Sequence, residues 1–393
     1  MNEINKTIGI LTLWESSDNY GQQLQCWALQ RELVKLGQAP YLIRYDTSLK
    51  IGGKAKLLHN LKRLIKFFLT HIIMSKNRLK VTNDQVQEYN TKNEIRKFKE
   101  FRNSNIIQSQ AFYKNIKELR KRPPKADIYI VGSDQVWSYP LSYEESKAYF
   151  LDFGPSNVKR IAYAASFSLP SYPENLKRIL KKQLEKFDAI SVREKTGVNI
   201  CRDIGVEAQL VLDPTLLLSK NDYLSLARRN DANTQPFIYV YHLNINSEED
   251  LKVKEIKALI HNERLLIKAT TSSGQIVGKE LLDFAKYEYS TIPQWINNIE
   301  NAEFVITTSF HGVAFCLLMH TNFIWIPLIG RSGKGNSRVE DLLTILALED
   351  HIYSDNVSIQ SAYDSEIDWS LIDSKLKNIR NTSIKFIRTS IGL

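Results

Sequence analysis

Short apolar runs alternate along this chain with longer segments of helical periodicity. The first run, residues 8–13 (IGILTL), precedes a helical segment over residues 22–36 that stops at Gly37, a residue suited to the turn after a helix. The runs that we predict as strands cover residues 8–13, 41–45, 127–131, 160–165, 188–192, 208–212, 237–243, 264–269, 303–307 and 323–328. Short strands separated by helices are typical of parallel sheets covered by helices. The pattern therefore predicts an α/β fold.

A polar stretch divides the predicted strands into two groups. Asp213 ends one strand, and residues 219–236 (SKNDYLSLARRNDANTQP) separate it from the next. A chain of 393 residues is also long for a single core. We predict an N-terminal domain over residues 1–215, a C-terminal domain over residues 236–365, and a tail over residues 366–393 that could pack back on the N-terminal domain.

The composition is that of an ordinary soluble globular protein, with 43% apolar and 24% charged residues. The cysteines, Cys26, Cys201 and Cys316, have no close spacing, so neither a disulfide framework nor a CxxC metal site is indicated. This fits a reducing cytoplasm. No basic leader precedes an apolar stretch of signal-peptide length, and no segment approaches the length of a membrane span. We therefore expect a cytoplasmic location.

The net charge of +10 is concentrated in one region. Residues 50–125 hold 20 Lys or Arg against 5 Asp or Glu, so the rest of the chain is net acidic. Within this basic insertion, the sequence predicts an apolar helix over residues 57–74, with Lys62, Arg63 and Lys66 clustered on one side. Such a helix either packs on the core with a solvated rim or lies in a membrane interface with its basic residues at anionic headgroups. Residues 54–78 are thus a candidate for binding an anionic membrane surface, at the inner face of the membrane.

Four junctions between a strand and the following helix carry unusual residues. In open α/β sheets, ligands bind outside the carboxyl ends of the strands, where helix N-termini also point. The first junction contains Asn19, Tyr20 and Gly21, a small and polar segment whose backbone amides could approach an anion or a sugar. The alternative is a helix N-cap formed by Asp18 or Asn19 with a turn glycine.

The second junction follows the strand DIYIV. It contains Ser133, Asp134, Gln135 and Trp137, and a carboxylate, an amide and an indole together can hold a sugar by hydrogen bonds and ring stacking. The alternative for Asp134 is a helix cap.

The third junction places Arg193 at the carboxyl end of a strand, followed by Glu194. Arginine is suited to a bidentate grip on phosphate or carboxylate. The alternative is a surface arrangement of this Arg–Glu pair.

The fourth junction, TTSFHGVAF, contains Ser309, His311 and Gly312 at the start of an apolar helix. A helix N-terminus favours an anion, a glycine admits a close approach, and a histidine can carry a proton. A structural histidine is the alternative. The four junctions together favour an anionic ligand.

The spacing of the residues excludes several known ligand-binding motifs. Gly333-Lys334 and Gly278-Lys279 lack the P-loop spacing, and no GxGxxG follows the first strand, so ATP and NAD have no fingerprint. The seven histidines show no HExxH spacing, and the basic region carries no nucleic-acid module. We therefore expect no cofactor, no metal and no nucleic-acid partner.

The four junctions resemble those of the polysaccharide pyruvyl transferase family. The matching segments are IGILTLWESSDNYGQQLQCWALQ, DIYIVGSDQVW, RIAYAASF, AISVREKTG, LVLDPTLLL, FVITTSFHGVAFCLL and NSRVEDLL. They span about residues 7–345 in order, whereas residues 50–120 match no segment of the family. The resemblance implies two Rossmann-like domains that face each other across a cleft, as in GT-B glycosyltransferases.

The resemblance also implies an activity, the transfer of pyruvate from phosphoenolpyruvate to a sugar of a surface polysaccharide precursor, such as a lipid-linked oligosaccharide, as a ketal. His311 then corresponds to the family's cleft histidine and Arg193 to its anion-binding arginine. Many members carry an arginine two residues before that histidine, but this chain has Ser309. Arg193 together with Arg338 or Lys334 is therefore expected to hold the donor phosphate, with Ser309 and Gly312 beside it.

Roles for the reacting groups follow from this chemistry. We expect His311 to protonate or hydrogen-bond the leaving phosphate and Asp134 to activate or orient an acceptor hydroxyl. The acceptor contacts would be Asn19, Tyr20, Gly21, Ser133, Gln135 and Trp137. Two alternatives stay open, a GT-B glycosyltransferase that uses a nucleotide sugar and a non-catalytic glycan-binding member of the fold.

Overall fold

The computed structural model describes residues 5–16, 18–46, 91–138, 141–227, 235–245, 247–263, 265–272, 280–330 and 332–393. The predicted basic helix over residues 57–74, with its flanks at 54–78, lies outside the described residues. Its membrane contact therefore stays a prediction.

The N-terminal half forms a seven-stranded parallel sheet. Its strands are β1 Thr7–Leu11, β2 Ala39–Tyr45, β3 Gln108–Tyr113, β4 Ile128–Val131, β5 Lys159–Ala165, β6 Ala189–Val192 and β7 Gln209–Leu210. Their spatial order is β3-β2-β1-β4-β5-β6-β7. Strands that run outward from a central β1 in both directions, in this order, are the Rossmann arrangement.

The C-terminal half repeats the arrangement with five parallel strands. They are β8 Phe237–His242, β9 Leu266–Thr271, β10 Lys286–Tyr287, β11 Phe304–Thr307 and β12 Phe323–Trp325. Their order is β10-β9-β8-β11-β12, which is again that of a Rossmann sheet. The expected fold class, two Rossmann-like α/β domains in a GT-B-like pair, is confirmed.

The described helices flank these sheets. They are α1 Tyr20–Lys35, α2 Phe98–Asn105, α3 Ile116–Lys121, α4 Glu174–Leu184, α5 Lys195–Asp203, α6 Lys220–Leu224, α7 Val253–Glu263, α8 Ile292–Glu300, α9 Phe310–Met319, α10 Ser337–Leu346, α11 Ile359–Tyr363 and α12 Trp369–Ile391. Short segments of 3₁₀ helix cover Glu144–Phe150, Pro214–Leu217, Ser332–Gly335 and Glu349–His351.

The parallel register brings the predicted junctions to one edge of each sheet. In the first sheet Leu11 pairs with Val131, and Val131 pairs with Ala162. In the second sheet Thr307, at the end of β11, pairs with Tyr241 of β8. Because all carboxyl ends of a parallel sheet meet at one edge, the loops after these strands become neighbours.

The two domains are packed tightly against each other along α1, α8 and α9. Tyr20, at the start of α1, is fully buried and stacks on Trp295 of α8, with ring centroids 5.1 Å apart. Its hydroxyl donates to the Ser290 carbonyl at 2.7 Å. One apolar core therefore continues from the first domain into the second.

The C-terminal helix α12 returns to the N-terminal half. The backbone amide of Leu212 donates to Ser383 Oγ at 3.0 Å, and Arg380 Nε donates to the Leu216 carbonyl at 2.8 Å. These bonds attach the last helix to the segment that follows β7. The chain segment around Asp213 is thus supported from outside the first domain's own sequence.

Candidate active site

A buried ion cluster lies where three strand ends of the first domain meet. The Arg193 guanidinium contacts Asp213 Oδ2 through Nη1 at 2.7 Å and Asp134 Oδ1 through Nη2 at 3.0 Å. The Arg193 side chain is 1% exposed. Buried charges persist only when they are paired and hydrogen-bonded, so each member of this cluster depends on the others. The second and third junctions therefore form one site.

Asp213 is the centre of this cluster. Its Oδ1 accepts hydrogen bonds from the Thr215 amide at 3.0 Å and hydroxyl at 2.8 Å, and Ser133 Oγ lies 2.9 Å from its Oδ2. Burial favours the neutral carboxyl, but His311 and Arg193 outweigh it and hold the pKa of Asp213 well below its ordinary value. Asp213 is therefore a fixed negative charge at neutral pH.

Sequence reasoning did not include Asp213 in the site and read it only as the end of a strand. One signal could have found it, because an aspartate just beyond a buried strand lies at the same sheet edge as Asp134 and Arg193. What the sequence hides is that β7 is a neighbour of β6.

His311 reaches this cluster from the second domain. It lies in the first turn of α9, and its Nε2 is 3.8 Å from Asp213 Oδ1. The imidazole is buried, and Nε2 has no hydrogen-bond partner among the described residues. The fourth junction therefore lies beside the second and third, which belong to the other domain.

Gly21 completes the contact of His311 with the first domain. A Cβ at Gly21 would lie 1.9 Å from His311 Nδ1, so the imidazole occupies the space that any larger residue would need. Gly21 lies in the first turn of α1, and a side chain there would displace either the helix or the ring. The sequence predicted that a ligand could approach the backbone closely at Gly21. In the structure, the group that approaches it is His311 of the same chain.

Arg338 is the second guanidinium of the site. With the Gln135 amide oriented so that its oxygen faces Arg338, that oxygen accepts from Nη2 at 2.9 Å and from Nη1 at 3.1 Å. Arg338 Nε donates to the Gly335 carbonyl at 3.0 Å. Among the described residues no carboxylate lies within ion-pair distance of Arg338. Burial, and then the charge of Arg193, lower the pKa of Arg338 to about 10, so it stays positive at neutral pH.

Glu194 lies beneath the site and is fully buried. Its Oε1 accepts from the amides of Phe167 at 2.9 Å and Ser168 at 3.3 Å. Burial raises the pKa of Glu194, and the charges of Arg193 and Arg338 counter that effect only in part. The alternative in which Arg193 and Glu194 form a surface arrangement is wrong, because both side chains are buried.

Two aromatic residues expected to contact the acceptor are placed in the core. Trp137 is fully buried, donates from Nε1 to the Tyr149 carbonyl at 2.9 Å and stacks on Phe150 at 5.5 Å. Tyr20 is held between the domains as described above. Neither ring has a face open to a sugar in this structure, so we withdraw both as acceptor contacts.

The remaining predicted residues have more local roles. Asn19 caps α1 by accepting from the Gln22 amide at 3.1 Å, which confirms the capping alternative for it. Gly312 allows α9 to pack on Thr307, whose Oγ1 would be 2.3 Å from a Cβ. Ser309 precedes α9 without a side-chain capping bond, and Lys334 is exposed.

Asp134 is not a helix cap, because the residues described after it form turns and not a helix. Its backbone carbonyl accepts from the Ser166 amide at 3.0 Å and from the Val136 amide at 2.8 Å. These bonds hold the loop after β4 in place while the carboxylate turns toward Arg193.

Within the described ranges, His, Cys, Asp and Glu side chains nowhere gather in threes in a way that could hold a metal ion. The described helices include none with the length and hydropathy needed to cross a membrane.

Two Rossmann-like domains that enclose a charged site at the facing edges of their sheets define a GT-B-like α/β protein. The chain belongs to the polysaccharide pyruvyl transferase family, whose model matches residues 19–328. This range contains Gly21, Asp134, Arg193 and His311. The protein is therefore a transferase, and its family implies a sugar acceptor.

Solved structures with distant similarity extend over almost the whole chain. The S. aureus MnaA–UDP co-structure is 11% identical over 99% of this chain and 97% of that one, with a TM-score of 0.49. UDP-GlcNAc 2-epimerase from Neisseria meningitidis bound to UDP-GlcNAc is 8% identical over 98% and 99%, with a TM-score of 0.48. An α-glucosyltransferase in complex with UDP and DNA is 10% identical over 98% and 95%, with a TM-score of 0.47. Similarity at this level says nothing about chemistry. No curated protein matches the chain.

Proposed function

We propose that this transferase moves pyruvate from phosphoenolpyruvate to a sugar of a surface polysaccharide precursor and forms a pyruvate ketal. One observation carries the proposal within the family. Arg338 has no ion-pair partner among the described residues, and its guanidinium is bound by Gln135, the residue next to Asp134 of the buried ion cluster. A donor with a phosphate and a carboxylate requires such a cation.

The contacts of the two arginines favour a division of labour. Arg193 already pairs with two carboxylates, so its charge serves mainly to hold Asp134 and Asp213 in place. Arg338 is free of direct ion pairs among the described residues and is bound by neutral groups, chiefly the Gln135 amide. In our proposal Arg338 binds the donor phosphate in place of the arginine that this chain lacks at Ser309, and exposed Lys334 does not.

The proposed reaction balances without an oxidant or a metal. The methylene carbon of phosphoenolpyruvate accepts a proton and becomes a methyl group, and the adjacent carbon becomes oxocarbenium-like. Two hydroxyls of one sugar attack that carbon, the bond to the phosphate oxygen breaks, and phosphate leaves. The two sugar hydroxyls lose two protons in total. One balances the proton that the methyl group gains, and the other leaves with the phosphate or enters the solvent.

His311 and Asp134 take two of the roles that this reaction needs. His311 protonates or hydrogen-bonds the leaving phosphate, since its imidazole lies beside the charged cluster. Asp134 orients an acceptor hydroxyl, because its side chain keeps 11% exposure while one oxygen is bound to Arg193. Both groups project from strand ends, so the proposed substrate lies between the two sheets.

Replacing Arg338 by alanine is expected to weaken phosphoenolpyruvate binding by about 10- to 100-fold, the loss of a hydrogen-bonded charge. The measurement is the rise in Tm of the purified protein with phosphoenolpyruvate, compared with UDP. We expect wild type to be stabilised by phosphoenolpyruvate and not by UDP. Lys334→Ala, an exposed neighbour, serves as the control and should behave like wild type. Stabilisation by UDP alone would instead favour a nucleotide-sugar glycosyltransferase.

The acceptor in this proposal is a lipid-linked oligosaccharide at the cytoplasmic membrane face, and residues 54–78 attach the enzyme there. We expect sedimentation with anionic vesicles that weakens with salt, and none with neutral vesicles. Substituting Lys62, Arg63 and Lys66 together by glutamine should remove about 3 kcal/mol of membrane binding. The matched control replaces three exposed basic residues of α4, Arg178, Lys181 and Lys182. Equal sedimentation with neutral vesicles, or an equal loss in the control, would contradict this attachment.

A further inference from the structure

We propose that Asp213 is a positioning residue for His311: it keeps a proton on Nε2, so that Nδ1 is the nitrogen that exchanges a proton with the substrate. The identity of that substrate rests on the proposed function, but the position of the proton does not. The argument uses the rigidity of the carboxylate, the isolation of Nε2, and the origin of the two residues in different domains.

The Asp213 carboxylate has no freedom to turn. Oδ2 is held by Arg193 Nη1 at 2.7 Å and lies 2.9 Å from Ser133 Oγ, while Oδ1 accepts two bonds from Thr215. Arg193 and both Thr215 groups donate to the carboxylate, and the single Ser133 hydroxyl proton is shared between Oδ2 and the Ala164 carbonyl at 3.0 Å. An ionised carboxylate can only accept, so Oδ1 faces any further group as a fixed negative charge that favours a proton on that group.

His311 Nε2 is that further group. It lies 3.8 Å from Asp213 Oδ1 and has no hydrogen-bond partner among the described residues, although the imidazole is buried. A ring nitrogen that faces only a carboxylate is more stable with a proton on it. Without the proton, its lone pair would point at the lone pairs of the carboxylate oxygen. A movement of about 1 Å brings the pair to normal hydrogen-bond length.

Gly21 limits how the ring can lie. The imidazole fills the space of a side chain at Gly21, with Nδ1 nearest to the position of the missing Cβ. Gly21 thus packs against the ring at Nδ1 and Cγ, while Asp213 lies at Nε2. With Nε2 committed to the carboxylate, Nδ1 remains as the site of proton exchange, next to the first turn of α1.

This arrangement depends on contact between the two domains. Gly21 and Asp213 belong to the first domain, and His311 belongs to the second. The histidine is therefore oriented only when the domains are packed together as they are here.

The proton position can be measured directly by ¹⁵N NMR of the full-length protein with labelled histidine. His311→Gln identifies the resonances of His311 among those of the seven histidines. At a pH about two units above the ordinary pKa of histidine, we expect the neutral His311 ring of wild type to carry its proton on Nε2. A neutral ring protonated on Nδ1 would overturn the proposal, whatever substrate the enzyme uses.

Asp213→Asn should then change two observables. The preference for the Nε2 proton is expected to weaken, and kcat for phosphate release with an aryl hexoside that wild type converts should fall by about 10- to 100-fold. KM for phosphoenolpyruvate should change little, because Arg338 remains. An unchanged proton position together with an unchanged kcat would refute the positioning role.

Two further variants keep the test decisive. Asp222→Asn is the control, since Asp222 also binds a hydroxyl and a cation, Ser219 and Lys35, but pairs with no histidine among the described residues. It should leave both observables as in wild type.

Thr215→Val replaces Asp213→Asn if the latter does not fold, because it removes one bond to Oδ1 and keeps the charge. The same two outcomes decide there. If wild type converts no hexoside, the NMR result alone decides the inference, and stabilisation by phosphoenolpyruvate decides the proposed function.

Discussion

Replacing His311 by alanine is expected to lower kcat for phosphate release from phosphoenolpyruvate by about 100- to 10,000-fold, the range that general acid catalysis contributes. The imidazole is buried beside Asp213 and faces it from across the cleft. Alanine removes the proton donor but leaves Arg338 to bind the donor. Stabilisation of the variant by phosphoenolpyruvate should therefore persist while turnover at saturating substrate is lost.

His320 offers a matched control for that experiment. It also pairs with an aspartate, since its Nε2 lies 3.0 Å from Asp373 Oδ1. Its side chain is 38% exposed and stacks on Trp369, and it caps the end of α9 opposite to His311. His320→Ala should keep the turnover of wild type. If His311→Ala released phosphate at nearly the wild-type rate, His311 would have no part in proton transfer.

Replacing Arg193 by methionine is expected to lower the free energy of unfolding by about 3–5 kcal/mol. The guanidinium is the common partner of Asp134 and Asp213, and the substitution leaves both carboxylates without it in a buried site. Methionine fills a similar volume, so the loss would report the uncompensated charge and not a cavity. Equilibrium unfolding in urea measures it, provided that both domains unfold in one transition.

Arg120 is the corresponding control at the surface. It bridges Glu144 and Asp152, each at 2.6 Å, so it too joins two carboxylates, but its side chain is 37% exposed. Arg120→Met should change the free energy of unfolding by about 1 kcal/mol or less, because water screens both carboxylates. Equal losses in the two variants would show that burial of the Arg193 cluster is not what makes it important.

Most of the fold could be predicted from the apolar runs. Strands β1, β4, β5, β6, β8 and β11 lie within about two residues of the predicted ranges, since each is a short, buried run rich in branched and aromatic residues. β3 was missed because QSQAFY is largely polar and only Tyr113 is buried. β10 was missed because it has two residues, neither of them buried.

Part of the candidate site could be predicted for a related reason. Asp134, Arg193 and His311 each follow a buried strand, and parallel strands bring their carboxyl ends together. Trp137 and Tyr20 share that position in the sequence but turn into the core. Position after a strand does not tell which way a side chain points, since that depends on the loop conformation and on the neighbours that the loop meets.

By itself, then, the sequence determined the alternation of strands and helices, the two parallel sheets, and the edge at which polar residues collect. These follow from local periodicity, which each segment carries independently of the others. Tertiary structure alone decided that Asp213 binds Arg193, that Gly21 makes room for His311, and that Arg338 is left without a carboxylate partner among the described residues. Each of these depends on contacts between segments that are remote in the chain. Only burial in those contacts makes an unpaired charge costly or a missing side chain necessary.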